Sequence, residues 1–385
     1  RQRAVMRILN TVEFYHPHLG GAERVVQRIS EGLVHRGHEV TVATSYDPRR
    51  PVPEHNGVHI RQFRIAGNCA KGMTGEVRAY QEWLLRGSWD VMMNYAAQSW
   101  PTDAALPLLE RLRPVRVLAT CGFSGQHGIR RALYARYFRM LRTRIRHYDA
   151  LIYHADTGAD VAFGRRFGPG EQAVIPNGVD GEEFATPRHG FRIRYRIGDR
   201  PLLLHVGNHY RVKGHRDLLR VARDLADLDA LLVIIGRDPG GWGSCWRACA
   251  RASHRNPGVV LLSEVPRAEV VSAFVDADVV LLTSRFEAAP LVLVEAMAAG
   301  VTFVSYRVGN AAALPGGLVV DGPADMARAV RELIGDVSRR RALGREGQVH
   351  QRRLLDWAVL VEKYEELFRR LHSRAASRGP AQIPP

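Results

Sequence analysis

The sequence predicts an α/β protein of two domains, each a parallel sheet covered by helices on both faces. Three observations predict this. Short apolar runs of strand length alternate with helical patterns through both halves of the chain. The 385 residues, 46% of them hydrophobic, suffice for two cores. A polar stretch at 181–198 parts the halves and reads as a linker. The expected domains are therefore 1–180 and 199–355, with a last helix over 356–372. The tail 373–385 is polar, rich in Pro and Gly, and reads as disordered.

The first strand is the apolar run 6–12. Gly20 and Gly21 permit a bend, and a helix over 22–36 follows, with Val25, Val26, Ile29, Leu33 and Val34 on one face. Residues 40–44 form the next strand, and this strand–loop–helix–strand order calls for parallel pairing. The Gly pair lacks the G-x-G-x-x-G spacing of a dinucleotide site, so alone it is equally a tight turn. Runs at 58–63, 91–94, 115–120 and 150–154 continue the sheet. Between the last two, 129–146 carries an apolar stripe of Ile129, Leu133, Tyr137, Met140, Leu141 and Ile145 among seven arginines. It reads as a helix packed on the sheet, with a basic membrane-surface helix as the alternative. Residues 173–180 form a strand running into a Pro-Asn-Gly turn.

The second half opens with the strand 201–206 and the loop Gly207-Asn-His-Tyr-Arg-Val-Lys-Gly214, followed by a helix over 215–225. Arg211 and Lys213, set before a helix, suit a diphosphate. Strands at 230–236 and 258–262 come next. Val265 then starts a connection to a helix carrying Val270, Val271 and Phe274. A buried strand, 277–283, leads into Arg285-Phe-Glu-Ala-Ala-Pro-Leu-Val-Leu-Val-Glu-Ala-Met-Ala-Ala-Gly300. Pro290 at a first helical position and Gly300 past the end bracket a helix. Its N-terminal end, at Pro290, Leu291 and Val292, presents unpaired N–H groups after the proline and offers an anion site. Glu287 lies in the turn before that helix. Glu295 lies inside it among apolar residues, so its carboxylate needs a partner, and a ligand hydroxyl would serve. A strand at 301–306, a loop at 307–310 and two helices close the chain.

Two glutamates eight positions apart in this strand–loop–helix setting, followed by Ala-Met-Ala-Ala-Gly, resemble the E-x7-E signature of family-4 retaining glycosyltransferases. Gly20-Gly21-Ala-Glu-Arg24 and Lys213-Gly214 resemble that family's first-loop glycines and phosphate loop. The resemblance implies the GT-B fold: two Rossmann-like α/β/α domains facing a central cleft, with the final helix crossing back to the first. It further implies transfer of a sugar from a nucleoside-diphosphate sugar, a UDP-sugar in the first instance, without a cofactor or metal. The acceptor is a saccharide, a lipid-linked saccharide or a small-molecule hydroxyl. Lys213, Arg211 and Gly207 would meet the diphosphate, Glu287 the sugar hydroxyls and Glu295 the ribose. Val265 would lie beside the base, and Gly20 and Gly21 beside donor phosphate and acceptor. Three departures stand out. Asn208 replaces the usual Arg, with Arg211 as its substitute. Ala288-Ala289-Pro290 replaces Gly-Phe-Gly. Cys121 occupies the place of a His, leaving Cys121 and His127 as acceptor-side candidates.

The bulk properties constrain the rest. A net charge of +16 suits phosphate-bearing partners, including the anionic inner face of a membrane. No nucleic-acid motif accompanies it, so a nucleic-acid partner is not expected. Cys69, Cys121, Cys245 and Cys249 are too few and too irregular for a disulfide framework. Cys245 and Cys249 share a helical face, but no matching His or Cys pair stands near them in sequence, and zinc is not expected. With no apolar leader and no run of bilayer length, the reading is cytoplasmic. Two other activities use related parts: a GT-B-like epimerase or phosphorylase, and a hydrolase working through the two carboxylates.

Overall fold

The computed structural model describes residues 4–18, 20–124, 130–185, 190–241 and 243–377. The chain divides into two compact units. One is Arg1–Pro176 together with the segment from Trp357 onward, and the other is Asn177–Asp356.

In the first unit an eight-stranded sheet runs in the order Gln172–Val174, Ala150–Tyr153, Val115–Ala119, Val91–Tyr95, Arg7–Thr11, Glu39–Ser45, Val58–Phe63, Glu54–His55. All neighbours are parallel except the last pair. In the second unit six parallel strands run in the order Val259–Leu262, Leu231–Ile235, Leu202–Val206, Val279–Leu282, Thr302–Tyr306, Gly317–Val320. Taken by position in the chain, this is the order 3-2-1-4-5-6 of the doubly wound dinucleotide fold, and the parallel part of the first sheet repeats it with a seventh strand added at the end. Each unit is thus Rossmann-like. A small hairpin, Ile65–Asn68 with Gly72–Gly75, and the strand Gly317–Val320 were not read from the sequence. Their short runs, two of them glycine-rich, carry little periodic signal.

The second sheet shows why its strands are largely apolar. Leu202, Leu204, Val233, Val280, Leu282 and Phe303 enter one core, while Leu203, Leu232, Ile234, Val279, Leu281 and Val304 enter another. Side chains alternate across the pleat, and both faces are covered, so the few polar residues there, His205, Thr302 and Ser305, are buried and each has a backbone carbonyl as partner.

Residues 181–198 correct the linker reading. They form a 3-10 turn, Gly181–Phe184, and a short helix, Gly190–Arg194. Phe184, Phe191 and Ile197 are buried in the core of the second unit. Asp276 accepts hydrogen bonds from the Phe191 and Arg192 N–H groups, at 2.9 and 3.1 Å, and so holds the helix start. Three anchoring apolar residues outweigh the polar average that suggested a linker.

The Arg-rich helix, Arg130–Arg144, buries Tyr134, Tyr137 and Leu141 in the first unit's core, and Ile145 follows them. Its apolar face is therefore occupied, and Arg136, Arg139 and Arg142 lie outside. Among the described residues, no helix is long and apolar enough to cross a membrane.

The last helix, Trp357–Ser377, extends five residues beyond the expected end and packs in the first unit against the helix Gly21–His35. Gly32 makes the close approach possible, since a Cβ there would lie 2.6 Å from a Val361 methyl. Glu365, 1% exposed, is the electrostatic centre of this contact. It accepts hydrogen bonds from Arg36 Nε and, at 2.8 Å, from Arg369 Nε, and its Oε1 lies 3.2 Å from His38 Nε2. Burial pushes its carboxyl up, but Arg36, Arg369 and His38 together hold it at about 2, against an ordinary 4.5. A depressed folded pKa means stabilisation present above pH 4.5 and lost as pH falls towards 2. Glu365→Gln should therefore lower stability by about 3–5 kcal/mol near neutrality. In urea denaturation the gap from wild type should shrink as pH falls from 4.5 towards 2.

Candidate functional site

In an open doubly wound sheet, ligands bind at the carboxyl ends of the strands, where the strand order reverses. In the second unit that point lies between Leu202–Val206 and Val279–Leu282, which pair through Leu203 with Val279 and Leu204 with Val280. The loop carrying Lys213 leaves the first of these strands, and the segment carrying Glu287 leaves the other. The sheet thus brings together two stretches 74 residues apart. Lys213 Nζ donates to Glu287 Oε1 at 2.7 Å. Neither side chain is closed off, at 28% and 17% exposure.

The Lys213 loop is tied down along its length. Gly207 N–H donates to Ile235 O at 2.9 Å, and the Asn208 side chain accepts from Arg237 N–H at 3.1 Å. Thr283 Oγ1 donates to Lys213 O at 3.0 Å, and Arg285 N–H donates to Val212 O at 2.8 Å. Gly214 closes the turn at φ +72°, where a Cβ would sit 1.9 Å from Thr283 O. Only glycine allows this approach, so Lys213 is fixed beside the opposite strand end.

Arg211 is not part of the Lys213–Glu287 pair. It lines a cavity of about 810 Å³, together with Arg216, Arg247, Arg251 and Arg285, and among the described residues neither Lys213 nor Glu287 lines it. Of the two cations expected at a diphosphate, Arg211 thus lines this cavity and Lys213 pairs with Glu287.

Glu295 is buried, at 5% exposure, and lies in the helix Leu291–Ala298. Pro290 is the residue preceding that helix, extended at φ −71° and ψ 110°, one position earlier than expected. Leu291 and Val292 form the first turn. The polar partner that Glu295 requires is present in the protein: Arg267 Nη1 donates to its Oε1 at 2.6 Å. The same guanidinium donates to both carboxylate oxygens of Glu183, at 2.7 and 2.8 Å, and lies 5.4 Å from the centre of the Phe184 ring. Burial opposes the Arg267 charge, but the two carboxylates outweigh it and raise its pKa. Arg267 opens the helix Arg267–Asp276, two residues after Val265. Sequence reasoning passed over it, because one arginine among so many gives no signal. Glu183 lay in the supposed linker.

The remaining candidates belong to the first unit. Gly20 is the extended residue preceding the helix that Gly21 begins. A Cβ on Gly20 would meet the Glu23 carboxylate at 2.0 Å. Cys121 follows the strand Val115–Ala119 at φ +58°, and its sulfur lies 3.4 Å from His154 Nε2. His154 is buried and close to Ile175 O through Nδ1, at 2.9 Å, and burial lowers its pKa. The position expected to hold a His thus has one beside it, supplied by the next strand's end. His127 lies outside the described residues.

Comparison with known proteins places this geometry. Residues 19–183 match the family described as Glycosyltransferase Family 4, and residues 200–336 match Glycosyl transferases group 1. A D-inositol 3-phosphate glycosyltransferase of Corynebacterium kroppenstedtii is 31% identical over 247 residues, 58% of this chain and 51% of that one. Its counterpart in Corynebacterium urealyticum is 32% identical over 257 residues, 62% of this chain and 60% of that one. The chain thus spans between half and three-fifths of the length of these curated relatives. Among solved structures, sucrose-phosphate synthase from Thermosynechococcus elongatus superimposes with a TM-score of 0.81 at 18% identity, covering 96% of this chain and all of that one. Anabaena Alr3699/HepE in complex with UDP-glucose superimposes with a TM-score of 0.77 at 16% identity, covering 95% and 100%. The fold is the GT-B fold of these proteins. The two family matches run through both sheets, and the chain belongs to the family-4 glycosyltransferases.

Proposed function

We propose that the protein transfers a glycosyl group from a nucleoside-diphosphate sugar, with retention of anomeric configuration. The observation that carries this reading is the Lys213–Glu287 pair at the strand-order reversal of the second sheet. Departure of the nucleoside diphosphate builds negative charge on phosphate and positive charge at the anomeric carbon. A fixed cation beside the leaving phosphate stabilises that charge without reorganisation. Lys213 is that cation. On donor binding it exchanges Glu287 for phosphate, and Glu287 then accepts from sugar hydroxyls. The N–H groups at Leu291 and Val292 add donors to the phosphate. Glu295, held in place by its hydrogen bond from Arg267, accepts from the ribose hydroxyls, and Val265 lies beside the base. The leaving phosphate takes the acceptor proton on the same face, so the reaction needs no protein nucleophile and no metal at the reacting centre.

The donor is a UDP-sugar; the UDP-glucose complex of Anabaena Alr3699/HepE supports this choice. The acceptor is a hydroxyl of a saccharide, a lipid-linked saccharide or a small molecule. Gly20, Gly21 and Cys121 serve the acceptor side, with the exposed arginines available to an anionic membrane. Four free cysteines suit a reducing, cytoplasmic setting. An epimerase or phosphorylase would release free sugar or sugar phosphate in place of a glycoside.

Three measurements test this reading. Lys213→Ala should keep the fold and lower turnover about 10²–10³-fold, equivalent to about 2.7–4 kcal/mol in the transition state. A folded variant with full activity would remove Lys213 from the mechanism. Arg267→Met should destabilise the protein by about 3 kcal/mol, because it takes away the cation shared by two carboxylates. It should also raise the Kd for UDP, read by calorimetry. In a thermal-shift panel of nucleoside diphosphates and their sugars, UDP at 100 times its Kd should stabilise by about 2.7 kcal/mol. Equal responses to every nucleotide would count against a uridine donor.

A further inference from the structure

Four sulfur and nitrogen side chains that glycosyl transfer leaves unused converge beside the Lys213 loop. Cys245 precedes the helix Trp246–Arg255, and Cys249 follows one turn later, so the two thiols share a face. His209 comes from the loop after Leu202–Val206, and His215 opens the helix His215–Asp224. The Cys245 sulfur lies 3.4 Å from His215 Nδ1 and 3.8 Å from His209 Nδ1. One ligand atom each from His209, Cys245 and Cys249 all lie within 4.8 Å of one another. His209, His215 and Cys249 are at most 1% exposed.

We propose that His209, Cys245 and Cys249 form the core of a structural site for a borderline divalent metal, zinc by preference, with His215 drawn in beside Cys245 as the fourth ligand. A tetrahedral zinc bound by two sulfurs and two nitrogens spaces neighbouring N and S atoms about 3.5 Å apart. The two distances from Cys245 bracket that value. Among the described residues, the Cys245 sulfur is the one polar side-chain partner that either ring finds, and it meets both rings at Nδ1, the atom that would bind the ion. Buried polar groups in such number are costly unless something binds them. A thiolate–imidazole set selects zinc over the hard, oxygen-loving cations.

The charges and the access route agree with this assignment. On binding, the two thiols release their protons to solvent and form two metal–sulfur bonds. Two thiolates cancel the charge of the dication. That balance matters here, because Arg211, Arg247 and Arg285 line the adjoining cavity of about 810 Å³. Cys245 and His215 line the same cavity, which gives the ion a way in. Once bound, the metal fastens the 207–214 loop to the helix Trp246–Arg255. Two backbone bonds already link these segments: Cys245 N–H to His209 O at 2.8 Å, and Arg211 N–H to Gly243 O at 3.1 Å. The site holds a loop in place and takes no part in bond cleavage. It departs from the expectation of no metal, which rested on neighbours in sequence. The two histidines stand 30 and 36 residues away and arrive through the fold.

The test uses the full chain, without a polyhistidine tag, reconstituted with Zn²⁺ and desalted. Elemental analysis should find one zinc per chain. Replacement by Co²⁺ should give thiolate-to-cobalt charge-transfer absorption and the d–d bands of tetrahedral coordination. Cys249→Ser should lose both signals, and Cys69→Ser should keep both. The proposal is overturned if the wild type retains no metal, or if Cys249→Ser matches it in stoichiometry and spectrum. A Cys245–Cys249 disulfide that persists in protein purified in the presence of a thiol reductant, seen by mass spectrometry, would overturn it equally. If Cys249→Ser does not fold, the wild-type cobalt spectrum decides alone. None of these readouts depends on glycosyl transfer.

Discussion

The second unit depends on one constraint: two adjacent parallel strands send their following chains in opposite directions. Helices cover both faces of the sheet, so the reversal leaves a gap at the carboxyl edge that no helix fills. Lys213 and Glu287 occupy that gap from either side, and their 2.7 Å contact is its first electrostatic closure. The contact is partly open to water, so breaking it is cheap, and an incoming phosphate is a competitive partner for the ammonium group. The rigidity lies beneath it, in Gly214 pressed against the Thr283 carbonyl and in the strands that fix both loops.

Glu295 shows a different economy. A carboxylate in an apolar helix would be expensive alone. Here Arg267 answers it and Glu183 answers Arg267, so the carboxylate is partnered and aimed before any ligand arrives. Such preorganisation lowers the entropy lost when a ligand is gripped. The exposed pair yields to the ligand and the buried triad awaits it, within one unit.

Much of this was legible in the sequence. Strands buried on both faces are continuous apolar runs, so Leu202–Val206, Leu231–Ile235 and Val279–Leu282 announce themselves. Gly214 and the paired glutamates were legible because turn chemistry and a carboxylate in an apolar helix are local signals. What escaped detection was non-local. Arg267 acquires meaning only when the fold sets it between Glu183 and Glu295. Cys245 and Cys249 seemed isolated because their histidine neighbours come from another strand's loop. Phe184, Phe191 and Ile197 hid in a polar stretch, because three anchors suffice to dock a segment that composition alone reads as solvent-exposed.

The return of Trp357–Ser377 to the first unit makes the second an insertion within the first. During synthesis the opening unit leaves the ribosome without its closing helix. Arg36 and His38 then wait for Glu365, a partner more than three hundred residues downstream. Contacts so distant along the chain are slow to form. The inserted unit, whose own parts are contiguous, is free to finish first. Translation order and order of completion are thus reversed: the half made second is the half that can mature earlier, while the half made first stays unfinished until the last helix emerges.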